Sequence, residues 1–264
     1  MREDVGTLFG LGGKGKGEHR AARRTSSARR PRSRAHWFAL LAVAAIGGSI
    51  PFVLFFEGLA RASSTQAAFV HKTLVIWVAL LAVPLLRERL SRAHYAAIAL
   101  LIAGQAVLIG GLGTVTVGVG ELMIFAATLL WAVEVVLVKR LLVSIAAPTL
   151  AAARLGIGTL LLVAYVLVSG RWSELAALDG SQWAWALLTG SLLAGYVATW
   201  YAALARAQAV DVTAVLVLGV VVTAVLDRAI EGAQLDLLGL GVIVLGGAAA
   251  AVLAARSAYR PAPA

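Results

Sequence analysis

Few residues of this 264-residue chain could do chemistry away from water, and several of them stand together: Glu57, Gln66, His71 and Lys72 fall within FEGLARASSTQAAFVHKTLV. They lie in or beside apolar runs, where ionisable groups are costly unless paired or functional. Two readings stand for them. If the flanking runs are antiparallel helices joined at Arg61 to Ser64, Glu57 and Lys72 can meet as a structural ion pair that fixes the hairpin. Otherwise Glu57, His71 and Lys72 line a cavity and either bind an anionic group or carry a coupling proton. Glu134 and Arg154 lie about equally far from the Lys139 to Pro148 turn and form a second acid–base couple. Its first reading is structural pairing, its second a gating or cavity role. Asp211 opens an apolar run, where a carboxylate suits a helix N-terminus. Gln66 reads the same way at its turn, or as a group facing a cavity. Trp77, Trp131, Trp200 and Tyr201 sit inside apolar runs, as packing groups first and pocket walls second.

Other chemistries find no support. There is no cysteine, and the four histidines are scattered, so no thiolate or histidine metal cluster is expected and no cofactor is called for. No HExxH pair, no catalytic serine with a matched histidine and no aspartate-rich phosphotransfer motif occurs in the apolar runs, so an enzyme is not expected. GLGGKGKG at residues 10–17 nearly matches a phosphate-binding loop, but Gly17 stands where Ser or Thr would hold magnesium and no strand precedes it. Arg23 and Arg24 precede an apolar run too long for a cleaved signal. The net charge of +10 comes mostly from the first 36 residues and short loops, which suits membrane orientation rather than nucleic-acid binding.

With 61% hydrophobic residues, 14% charged residues and a mean hydropathy of +0.89, the chain reads as an integral membrane protein. Eight windows are apolar enough to cross a hydrocarbon core about 30 Å thick. They run over 37–59, 65–86, 93–112, 118–139, 148–168, 182–203, 210–226 and 235–254. Residues 1–36 form a basic tail without apolar periodicity, expected to be disordered. The tail, the RERLSR turn (Arg87 to Arg92), Lys139 and Arg140, and the C-terminal Arg256 and Arg260 fall on one side, which the positive-inside rule makes cytoplasmic. Trp172, Trp183 and Trp185 fit an interfacial belt at the other side, against membrane lipid.

The organisation is repetitive. Residues 56–81 align without gaps to residues 201–226, with about eight identities including LARA, at a spacing of 206 − 61 = 145. Five spans separate the copies, an odd number, so they are upside down relative to each other. The second copy has Ala202, Leu216 and Val217 in place of Glu57, His71 and Lys72. The fold expected is therefore an all-α polytopic bundle of about eight transmembrane helices built from two inverted repeats, an arrangement common in secondary transporters.

With LARASSTQAAFV, the LLRERLS turn at residues 85–91, IAGQAVL at residues 102–108 and the second-copy run YAALARAQAVDVTAVLVLG, the chain resembles the EamA-type branch of the drug/metabolite transporter superfamily over roughly Trp37 to Arg256. Glu88 takes the place of that family's turn glutamate. The resemblance implies two five-helix repeats, of which this chain lacks the first two helices. The division expected is a tail (1–36), an incomplete first repeat of three spans (37–117), a second repeat of five (118–256) and a cytoplasmic tail (257–264). A truncated gene product, a start site placed too far downstream, or an eight-span variant completed by homodimerisation would each account for this. The small-residue runs AGQAVLIGG and GLGVIVLGGAAAA suit close helix packing or a dimer face. The function implied is a transporter of the plasma (inner) membrane, with both termini cytoplasmic, exporting a small organic solute by alternating access, with or without proton coupling. The rival is a non-transporting subunit or an inactive remnant.

Overall fold

The structure, a computed structural model, describes residues 34–108, 111, 117–232, 234 and 236–258. The basic tail with its GLGGKGKG run and arginine pair, most of the Gly110 to Gly120 loop and the last residues, Arg260 among them, lie outside the described residues. The elements are α1 (Arg34–Gly48), α2 (Ile50–Leu59), α3 (Ser64–Lys72), α4 (Leu74–Leu86), α5 (Arg92–Leu108) and α6 (Val119–Leu141). They continue with α7 (Ala147–Val168), α8 (Trp172–Ala176), α9 (Gly180–Leu204), α10 (Ala209–Val215), α11 (Gly219–Glu231) and α12 (Leu237–Ala258). Seven helical stretches are long and apolar enough to cross a membrane, and α5, at 17 described residues, is a shorter eighth. The protein is an all-helical, multi-pass membrane protein.

Local chemistry sets the ends. Asp179 caps α9 reciprocally, its Oδ1 accepting from Gln182 N at 2.8 Å while Gln182 Oε1 accepts from Asp179 N at 2.9 Å. Ser63 Oγ accepts from Gln66 N at 3.3 Å and opens α3, so Gln66 takes part in a turn through its backbone. At the other end of that hairpin, α4 stops at Arg87, whose φ of 57° is left-handed, just past Pro84.

Three spans expected to be continuous are interrupted. The first breaks at Ser49, because Pro51 has no N–H to offer the carbonyl of Gly47 four residues back. That freed oxygen accepts Trp131 Nε1 at 3.1 Å. The second breaks at Thr73, whose hydroxyl donates back to Val70 O at 2.6 Å and accepts Trp77 Nε1 at 3.1 Å. The seventh tightens into a single 3₁₀ turn, Leu216–Leu218, between α10 and α11. It also extends through Glu231, beyond the expected end at residue 226, because an apolar window undercounts a helix whose last turn is polar.

The repeat is written in these boundaries. Leu59 and Leu204 end helices, Ser64 and Ala209 begin the next, and Arg92 and Leu237 begin the ones after, each pair 145 residues apart. Thr73 and the end of the 3₁₀ turn at Leu218 keep the same spacing. The matched helices α5 and α12 pack on each other, and α4 packs on α10, a helix of the span that matches its own, as expected of an approximate two-fold axis between the copies. The small-residue runs serve that contact: a Cβ on Gly104 would come within 2.5 Å of Ile243 and 3.0 Å of the Gly239 carbonyl.

Candidate substrate cavity

Call the end of the bundle where α4 and α9 finish the terminal end, and that where α2 and α7 finish the loop end. A cavity of about 480 Å³ spans the middle of the bundle, its lining reaching from the loop-end half of α2 to the terminal-end halves of α6 and α9. It is lined by Phe52, Phe55 and Phe56 of α2, by His71, Lys72, Leu74 and Val75 around the Thr73 break, and by Trp131, Glu134 and Val135 of α6. Arg154 of α7, Leu193, Tyr196 and Trp200 of α9, and Thr213, Leu216, Val217 and Gly219 around the 3₁₀ turn complete it. Two of the three interrupted spans, one from each copy, thus present their breaks to one space. Irregular backbone at membrane depth is tolerated where it lines such a cavity.

Lys72 is the exceptional member. It forms no hydrogen bond or ion pair among the described residues, and a methyl built on Gly219 across the cavity would sit 3.9 Å from its Nζ. Beside it, His71 is held edge-on by Phe55 and Trp131, with ring centroids 5.4 and 4.9 Å away, and its buried Nδ1 has no hydrogen-bond partner. Glu57 does not meet Lys72. It turns away from the cavity and pairs with Arg61 Nη1 at 2.8 Å and Arg171 Nη1 at 3.2 Å, with Tyr165 OH at 3.4 Å. The hairpin ion pair is therefore Glu57 with Arg61, because one helical turn along the same chain is a shorter reach than the gap to Lys72.

At the cavity floor, Glu134 and Arg154 pair as expected, Oε1 to Nη1 at 3.4 Å, both almost fully buried. Tyr201 OH donates to the same Glu134 oxygen, and the Arg154 guanidinium lies 5.8 Å from the Tyr201 ring centre. Glycines admit this arrangement: a Cβ on Gly47 would strike Glu134 Cγ at 2.5 Å, and one on Gly48 the Arg154 carbonyl at 2.3 Å. Structural pairing and cavity lining are thus both true of this couple. Trp131 and Trp200 line the cavity, Tyr201 supports it from behind, and Trp77 meets Phe125 edge-on outside it at 5.2 Å. Gln66 is not among the lining residues.

Sequence reasoning missed Phe52, Phe55, Tyr196 and Thr213, whose types are ordinary for an apolar helix. The signal that could have found the last of these was the helix break on the second copy, marked by Gly219 at the position matching Leu74.

The terminal end is closed by polar contacts, between the copies through Glu88, Arg140 and His94 and within the second through Lys139. Glu88, in the RERLSR turn, caps α10: its Oε1 accepts Ala209 N at 2.6 Å and its Oε2 accepts Val210 N at 3.3 Å. Burial pushes the Glu88 carboxyl above its ordinary range, opposed by these two amides and the Lys139 ammonium. Lys139 in turn donates to the carbonyls of Leu204 and Ala207 at the end of α9, and Arg140 Nη2 to Leu85 O at 2.7 Å. Asp211, expected as the cap of its own helix, lies buried with Oδ1 3.2 Å from His94 Nε2, while the amides at the start of that helix go to Glu88.

An inverted two-copy bundle whose broken helices meet at a largely apolar cavity carrying a few ionisable groups is the architecture of a secondary-transporter type of membrane protein. The sequence profile of the EamA-like transporter family matches residues 24–110 and again 118–255, most of the chain, and this protein belongs to that family. A solved crystal structure described only as that of a protein, one of 14 matching chains, aligns with a TM-score of 0.67 at 21% identity, over 90% of this chain and 83% of that one. This likeness shows the fold. No curated protein matches the sequence.

Proposed function

We propose that this chain carries a small organic solute across the plasma membrane by alternating access, with the cavity as its binding site. The observation that carries the reading is Lys72: an unpaired cation in an apolar bundle, set where two broken helices meet. Such a group is expensive unless a ligand or a transported charge accounts for it. The basic turns at Arg87 to Arg92 and at Lys139 and Arg140 make the terminal end, and hence both termini, cytoplasmic. The Glu88 and Lys139 contacts across that end then serve as the closed inner gate. The net direction we propose is export, with His71 placed to take up a coupling proton.

Purified protein in vesicles, screened for uptake and efflux of metabolite pools with and without a pH gradient, tests this. Lys72→Ala is expected to abolish transport while leaving insertion and thermal stability nearly unchanged. Transport that survives the substitution, or a parallel loss of stability, would remove Lys72 from the site. A wild-type protein that moves no solute under any gradient would favour a non-transporting membrane subunit.

A further inference from the structure

We infer that the cavity selects a small organic monoanion, a carboxylate on a flat apolar body, over zwitterions and cations of the same shape. This rests on the cavity being the solute site and adds the chemical class of the solute.

The argument is one of charge balance. The ionisable side chains lining the space are His71, Lys72, Glu134, Arg154 and Tyr196. Glu134 is the only carboxylate among them, and both Arg154 and Tyr201 are bonded to its Oε1. Its charge is matched by the guanidinium. Lys72 is left with an uncompensated positive charge, and the residues of the same lining hold two more polar atoms without hydrogen-bond partners, His71 Nδ1 and Arg154 Nε. A bound carboxylate would give the ammonium the charge-assisted partner it lacks, and such bonds are the strong ones. An ammonium group entering the same space would meet Lys72 repulsion, and the one carboxylate on the lining already has its charge matched by Arg154.

The walls define the rest of the solute. Phe52 and Phe55 stand against Trp131 with ring centroids 5.4 and 5.6 Å away, and Tyr196 stacks on Trp200 at 5.9 Å on α9. Two aromatic clusters on one lining suit a flat ring. A volume of about 480 Å³ is in the range of small-molecule sites and leaves room for a one- or two-ring acid.

The test uses three probes with the same ring and spacer: 3-phenylpropionate (anion), phenylalanine (zwitterion) and phenethylamine (cation). Binding to the full chain in detergent is read by quenching of tryptophan fluorescence, since Trp131 and Trp200 line the cavity, and by thermal shift. The anion is expected to bind about tenfold or more tighter than either of the others. Lys72→Gln is expected to erase that preference and Lys72→Arg to keep it. Equal or tighter binding of the zwitterion or the cation to the wild type overturns the inference, and this comparison needs no variant to fold. Unchanged anion preference in Lys72→Gln overturns it as well. Vesicle counterflow separates the two claims: anion binding without transport would sink the transport reading alone, and transport of phenylalanine without an anion preference would sink this one alone.

Discussion

The two copies of the repeat share a backbone and differ in cargo. Their helices end, begin and break at positions 145 residues apart, yet His71 and Lys72 in the first copy face Leu216 and Val217 in the second. If polar groups were needed to break the helix or seat it against its partner, the second copy would carry them too. It breaks without them, through a 3₁₀ turn ahead of Gly219. Interruption therefore belongs to the fold, whereas the charge at the interruption belongs to whatever the cavity binds. The copies also divide the work of closing the terminal end: Glu88 of the first caps α10 of the second, a contact with no counterpart among the described residues.

The largest expected effect tests whether the second copy is as free of polar duty as its break suggests, since its Tyr201 holds Glu134. Glu134→Ala leaves Arg154 buried and uncompensated and is expected to cost about 3–5 kcal/mol, seen as a large fall in melting temperature in detergent. Next, exchanging the cargo across the pseudo-axis sharpens the comparison. Lys72→Val alone is expected to stop transport, and adding Val217→Lys to recover it about tenfold or more above the single variant, because both positions line one cavity. A double variant as inactive as the single one would show that the charge must sit on the first copy. Smaller is Glu88→Ala, which removes the cap that one copy lends the other. About 1–2 kcal/mol of stability should be lost, by thermal unfolding, with Gln recovering part of it. Smallest is Glu57→Gln, at the exposed rim between Arg61 and Arg171. Transport rate and melting temperature should both stay at wild-type values, and a lost rate would return Glu57 to the site.

What could be read along the chain followed from periodicity and count. Apolar length placed all eight helices, because a hydrocarbon core demands it of any sequence. Gapless alignment of copies offset by five spans, an odd number, gave their inversion, and pairing of Glu134 with Arg154 followed from equal distances to a turn. Lys72, His71, Trp131 and Trp200 stood out for their chemistry alone, and they do line the cavity. Other decisions needed three dimensions. Glu57 had two partners in reach along the sequence, and only the packed bundle, which brings Arg171 beside it from more than a hundred residues away, settled its direction. The amides at the start of α10 go to Glu88, 121 residues distant, rather than to a neighbour. Phe52, Phe55 and Tyr196 are ordinary apolar-helix residues until helix rotation turns them toward one space. A residue's cost in an apolar setting is written in its type, but which side of a helix it occupies relative to its partners is a property of the assembled bundle.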